Sequence, residues 1–173
     1  TVEEIMEMGI DCFWIVYEGT RSNYAKQQGR PIQEILTEFR EHGITILASM
    51  IVGFDYQNQE VVAQELEGLM KLKPALAQFL IYGPVPSTPF YERIIKENLL
   101  QDVYTKDMDL FYRRADGFRT MIKHPTLSPE EIERIQSWCF DEDFQRLGPS
   151  IFRVLEGRLL VYQKLKNSPN PFL

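Results

Sequence analysis

Three short apolar runs, Ile10 to Tyr17 (IDCFWIVY), Ile44 to Val52 (ITILASMIV) and Ala75 to Tyr82 (ALAQFLIY), are separated by amphipathic segments of helical period. This alternation constrains the fold more than any other feature. Runs of this length, rich in β-branched and aromatic residues, read as strands covered on both faces, as in a parallel sheet. Strands alternating with helices of ten or more residues read as βαβ units. Between the first two runs, Ile32, Ile35, Leu36 and Phe39 fall at i, i+3, i+4 and i+7 after Pro31, and His42-Gly43 is a helix stop. A short helix is expected around Tyr24. Between the second and third runs, Val62, Leu66, Leu69 and Met70 mark a helix over about Gln59 to Lys71, broken by Pro74. Thr1 and Glu4 form a capping-box pattern for a short leading helix that stops at Gly9.

After Leu100 the pattern changes, and no further strand is expected. Asp107 to Ile122 reads as helical. Ser128, Pro129 and Glu131 form a second capping box, opening a helix that carries Ile132, Ile135 and Cys139. Gly148-Pro149 separates it from a last helix bearing Ile151, Leu155, Leu159 and Tyr162, and the tail NSPNPFL reads as loop. The reading divides the chain into an α/β part, residues 1–100, and a helical appendage, residues 101–173.

The 173 residues carry a net charge of -6 without a basic stripe, which argues against a nucleic-acid surface. The longest apolar runs fall well short of the roughly 20 residues that span a bilayer. A soluble, cytoplasmic protein is expected, with a peripheral place on a membrane compatible with it. The start at Thr1 without a methionine suggests a portion of a longer chain. Two cysteines, Cys12 and Cys139, lack metal-ligand spacing and read as core residues. His42 suits the negative end of its helix. His124 reads as a loop residue, with a catalytic role left open. Asp55 reads as a helix cap. Asp141, Glu142 and Asp143, like Arg113 and Arg114, read as solvated surface.

In parallel α/β folds ligands bind beyond the carboxyl ends of the strands. Glu18-Gly19, Gly53 to Tyr56 and Gly83 to Thr88 occupy those places. Their glycines either admit a ligand to the backbone or relieve a strand-to-helix turn.

The same strand ends resemble the second half of the partial TIM barrel of radical S-adenosylmethionine enzymes. That family has a strand ending in an Ile-Gly-x-Glu-Ser-like turn, a later strand finishing in Gly-x-Pro-Gly-Glu, and another ending near Pro-Gly-Thr-Pro-x-Tyr. Ile15 to Gly19, Ile51 to Tyr56 and Pro86 to Tyr91 hold those places, in register over roughly residues 5–100. The resemblance implies a (βα) barrel half of three parallel strands followed by the helical region. It implies that the complete enzyme cleaves S-adenosylmethionine reductively to a 5'-deoxyadenosyl radical, which abstracts hydrogen from substrate. Glu18 would then bind the ribose, Ile51 and Gly53 would lie at the adenine, and Tyr82, Pro84 and Val85 would meet the adenine edge. The departures are Phe54-Asp55-Tyr56 for Pro-Gly-Glu and Ser87 for glycine. The C-x-x-x-C-x-x-C motif of the [4Fe-4S] cluster is absent, and two cysteines cannot replace three thiolates. The chain is therefore expected to hold no metal, to be inactive alone, and to depend on an upstream barrel half, in the same protein or a partner chain, for the cluster. The block from Lys106 to Gly157 resembles the cobalamin-binding branch that methylates lipids such as hopanoids, which implies cobalamin and a small-molecule or lipid-like substrate. The alternative is a non-catalytic, truncated or split-gene product that folds against a partner. In either case the first strand, with Phe13, Trp14 and Ile15 and no proline or lysine, is a poor sheet edge that something should cover.

Overall fold

The computed structural model describes residues 1–17 and 30–167. The helix expected around Tyr24 and the turn at Glu18-Gly19 lie outside the described residues. The elements are α1 (Val2–Glu7), β1 (Cys12–Tyr17), α2 (Ile32–Glu41), β2 (Thr45–Val52), α3 (Gln59–Lys71), β3 (Leu76–Ile81), α4 (Pro89–Lys96), α5 (Asp102–Lys106), α6 (Met108–Arg114), α7 (Pro129–Leu147) and α8 (Ser150–Leu165). The strands form an open parallel sheet in the order β1-β2-β3, with helices around it. Cys12 pairs with Thr45 and the register runs through to Tyr17 with Met50. The alternation of strand and helix patterns is thus realised, each strand one or two residues shorter than its apolar run.

The chain divides into two compact units interleaved in sequence: Thr1–Met50 with Glu65–Gln78 and Glu142–Leu173, and Ile51–Gln64 with Phe79–Asp141. In the first unit, one face of the sheet meets helices. Phe13 stacks on Phe39 of α2 at 5.1 Å, and the Tyr17 hydroxyl packs on Gly68 of α3, where any Cβ would overlap it. Burial pushes the Tyr17 phenol above its ordinary pKa, with the nearby Glu65 carboxylate adding to the shift. Ile46, Ala48 and Met50 of β2 are buried. The other face carries a polar row, in which Trp14 Nε1 donates to Ser49 Oγ at 2.5 Å and Ser49 Oγ donates to Gln78 Oε1 at 3.0 Å. α8 lies on α2, and Gly43, at φ +71°, leaves no room for a side chain beside Val161. In the second unit, Ile94, Leu100, Tyr104, Phe111 and Met121 form a core cluster.

Several expectations are corrected. β1 is not covered on both faces: its burial alternates, leaving Trp14 65% and Val16 51% exposed, and the described helices pack against the Phe13 and Tyr17 side. Cys12 is accordingly exposed rather than core, whereas Cys139 is buried. Asp107 to Ile122 is helical only over α6. Gly117, at φ +79°, and the Asp116 carboxylate, which accepts from Phe118 N at 2.8 Å, turn the chain. Ile122 then makes an antiparallel bridge to Leu100 where no extended pairing was expected. On α8, Ile151, Leu155, Leu159 and Tyr162 are exposed, and the helix instead seats its Gly157-Val161 side on Gly43. Asp143 is not solvated: it is buried and grips Arg153 through two bonds of 2.9 and 2.7 Å. Both capping boxes form as expected. Among the described residues, no helix is long and apolar enough to cross a membrane.

Candidate functional site

The turn that leaves β2 is held by one side chain. Gln57, 1% exposed, accepts through Oε1 from Gly53 N at 2.7 Å and Phe54 N at 2.9 Å. Its amide nitrogen donates to Ile51 O at 3.2 Å. Gly53 sits at φ +93°, where side chains are rarely tolerated, and the space a Cβ would take is met by Ile132 Cγ2 at 3.2 Å. The glycine is therefore explained by its turn and by α7. The next carbonyl, Phe54 O, accepts from His124 Nε2 at 2.9 Å. Because His124 Nδ1 accepts from Leu127 N at 3.0 Å and Thr126 N at 3.2 Å, the bonding pattern assigns the ring proton to Nε2 and leaves neither nitrogen open. His124 is thus a clasp between two loops.

The turn that leaves β3 is built differently. Tyr82 N continues the ladder by donating to Val52 O at 2.7 Å. Thr88 then closes the turn. Its N–H and hydroxyl donate to Val85 O at 3.3 and 2.6 Å, and its Oγ1 accepts from Tyr91 N at 3.2 Å to cap α4, with Pro89 at the first helical position. Ser87 is held at φ +67°, the left-handed region. Upstream of this closed turn, the Gly83 backbone N–H and C=O make no hydrogen bond with the described residues.

An aromatic row joins the two turns. Tyr56 stacks on Phe54 at 5.5 Å, Phe54 meets Tyr82 at 4.5 Å, and Tyr82 meets Phe90 of α4 at 4.3 Å. The Arg93 guanidinium lies 5.4 Å from the Phe90 centroid, within cation–π range. Rings at these separations contribute about 0.5–1.5 kcal/mol per pair beyond their burial, so the row stiffens both strand ends.

Of the residues singled out from sequence, Ile51, Gly53, Tyr82, Pro84 and Val85 all fall at these strand ends in the second unit. Gly53, Tyr82 and Ile51 belong to one bonded framework. Pro84 is buried, and Val85 is exposed. Glu18 lies outside the described residues. Sequence reasoning passed over Gln57, Phe90 and Arg93, and placed His124 in a loop without its bond to Phe54 O. A buried glutamine closing a turn leaves no pattern in the sequence, but Phe90 directly after the Pro-x-x-Pro stretch was a usable sign. The cap expected at Asp55 is at Asn58, whose side chain accepts from Val61 N at 2.9 Å, because α3 starts later than Asp55 can reach. Among the described residues no group of three His, Cys, Asp or Glu side chains can hold a metal ion. Neither the models of known protein families nor the curated proteins compared with this chain match it.

Proposed function

We propose that the chain is the carboxyl-terminal part of a radical S-adenosylmethionine enzyme and that its β2 and β3 turns form one wall of the nucleoside site. The observation that carries the reading is the row Phe54–Tyr82–Phe90, with neighbouring centroids 4.5 and 4.3 Å apart. It brings together two stretches, Ile51 to Tyr56 and Pro86 to Tyr91, whose resemblance to the family is read separately. Two details add to it. Gly83 presents an unengaged backbone donor and acceptor, the pair that an adenine edge requires. Ser87 adopts φ +67°, the geometry that the family's glycine provides at that place.

The chain's own residues fit a nucleoside better than they fit the rest of the machinery. Gly53 N and Phe54 N are already taken by Gln57, so base recognition falls to Gly83, while Tyr56 and Val85 offer exposed apolar contact. The [4Fe-4S] cluster does not fit: the thiols number two, one of them buried. His124 offers no lone pair to a cobalt ion. The lipid-methylating branch therefore rests on the resemblance of the helical region alone. A second reading, the non-catalytic product that folds against a partner, is favoured by the open edge of β1.

Co-expression with a segment carrying C-x-x-x-C-x-x-C, followed by anaerobic cluster reconstitution, tests the proposal. The expected outcome is 5'-deoxyadenosine from the pair and none from residues 1–173 alone. Cleavage by this chain alone would overturn its role as a part. A stable pair with an intact cluster that neither binds nor cleaves S-adenosylmethionine would leave the non-catalytic reading standing.

A further inference from the structure

A cleft of about 890 Å³ opens within the first compact unit, among the ends of α2, α3 and α7, the start of β2 and the middle of α8. Its size lies within the range of about 300–1,000 Å³ typical of small-molecule sites. Ile44 and Ile46 contribute to its floor, and α8 lines it with Leu159 and Leu160, which are 56% and 38% exposed. Exposed leucines inside a concavity are the part of the lining that the fold itself does not use.

The charges around the cleft are of two kinds. Arg153 is engaged by Asp143 and Pro74 O, and Arg146 pairs with Glu67 at 2.9 Å. Arg40 and Lys73, by contrast, have no side-chain partner among the described residues. Arg40 stands in the last turn of α2, where a cation offsets the negative end of the dipole, and Lys73 lies two residues beyond the end of α3. That placement accounts for their sign but not for the apolar wall beside them. Glu41 has a partner, and Glu156 has none among the described residues, so among them the unpaired cations of the lining outnumber the unpaired anions.

We propose that this cleft binds a single-chain amphiphile with an anionic head, the chain lying along Leu159 and Leu160 and the head at Arg40 and Lys73. The inference is independent of the nucleoside reading. Titration calorimetry of the full chain with decanoate, decanol and inorganic phosphate separates the contributions of chain and head. Decanoate is expected to saturate one site at least tenfold more tightly than decanol, and phosphate to give no saturable heat. The variant R40Q/K73Q should lose at least tenfold in decanoate affinity, about 1.4 kcal/mol, with decanol unchanged. L159Q/L160Q should weaken both ligands. The side chains changed are partly or largely solvent-facing, so folding should persist, as checked by melting. If it does not, the salt dependence of decanoate binding to the unaltered chain gives the same answer, since a head held by Arg40 and Lys73 must weaken as salt rises. Absence of saturable decanoate binding, equal affinity for decanol, or an unaffected R40Q/K73Q variant would overturn the proposal.

Discussion

The two edges of the sheet are finished in opposite ways. On the outer side of β3, Ile81 N donates to Gly117 O at 2.7 Å, and the buried Gln136 side chain donates to Phe79 O at 2.7 Å and Gly117 O at 2.8 Å. Two outward backbone groups of that strand, Phe79 O and Ile81 N, are therefore engaged by its own chain. On β1, Asp11 O accepts from Thr45 N at 2.8 Å, so by alternation Phe13, Ile15 and Tyr17 turn their backbone groups to β2, and Cys12, Trp14 and Val16 turn theirs outward. Among the described residues nothing meets them. The same three side chains are exposed. One edge is closed by a glutamine and a glycine carbonyl, and the other keeps the pairing capacity that an added strand would use.

The largest expected effect is on the closed edge. Gln136→Leu leaves the Phe79 carbonyl buried without a donor and removes two bonds to a side chain 4% exposed. The cost should be about 2–3 kcal/mol in urea unfolding. A loss below about 0.5 kcal/mol would mean that this edge is no better sealed than β1. Next comes the seat that fixes β1 to its helix. Gly68→Ala should destabilise by roughly 1–2 kcal/mol, the overlap with the Tyr17 hydroxyl outweighing the gain in helix propensity. Tyr17→Phe should relieve that overlap in the double variant, and an additive pair would show that the hydroxyl is not the point of contact. Smaller, and opposite in sign, Ser87→Gly should stabilise by about 1 kcal/mol by releasing the left-handed geometry of a non-glycine residue. A fall in melting temperature would argue that the serine side chain is needed in the turn.

How much of this was legible beforehand divides along the same line. The strands, α2, α3 and both capping boxes follow from local periodicity and cap chemistry, which adjacent residues carry. The candidate strand ends follow as well, because strand order places them. The sealing of β3 by Gln136 and Gly117 was not legible, since it joins residues far apart in sequence through a glutamine that no pattern marks. Nor was the half-exposed state of β1: IDCFWIVY is apolar on both sides, and its burial depends on what else packs there. The clasp of Asp143 on Arg153 was lost for the same reason, because three consecutive acids look solvated until a distant arginine closes on one of them.

Trp14 offers the finest test of the open edge. Its ring is 65% exposed, and its indole N–H is tied to Ser49 Oγ, so within the isolated chain it contributes one bond and little burial. Trp14→Ala should therefore cost less than about 1 kcal/mol, the usual range for a surface substitution with one lost bond. The value should not change with protein concentration. Amide exchange provides the residue-level readout: with the edge open, the amides of Trp14 and Val16 should exchange faster than that of Ile81, whose donor is engaged. If a second copy or a partner strand covers β1 in solution, the same substitution should cost several times more, that excess should shrink on dilution as the unaltered chain dissociates, and the amides of Trp14 and Val16 should be protected. Equal protection at the two edges would remove the contrast, and with it the case that β1 is left open for another chain.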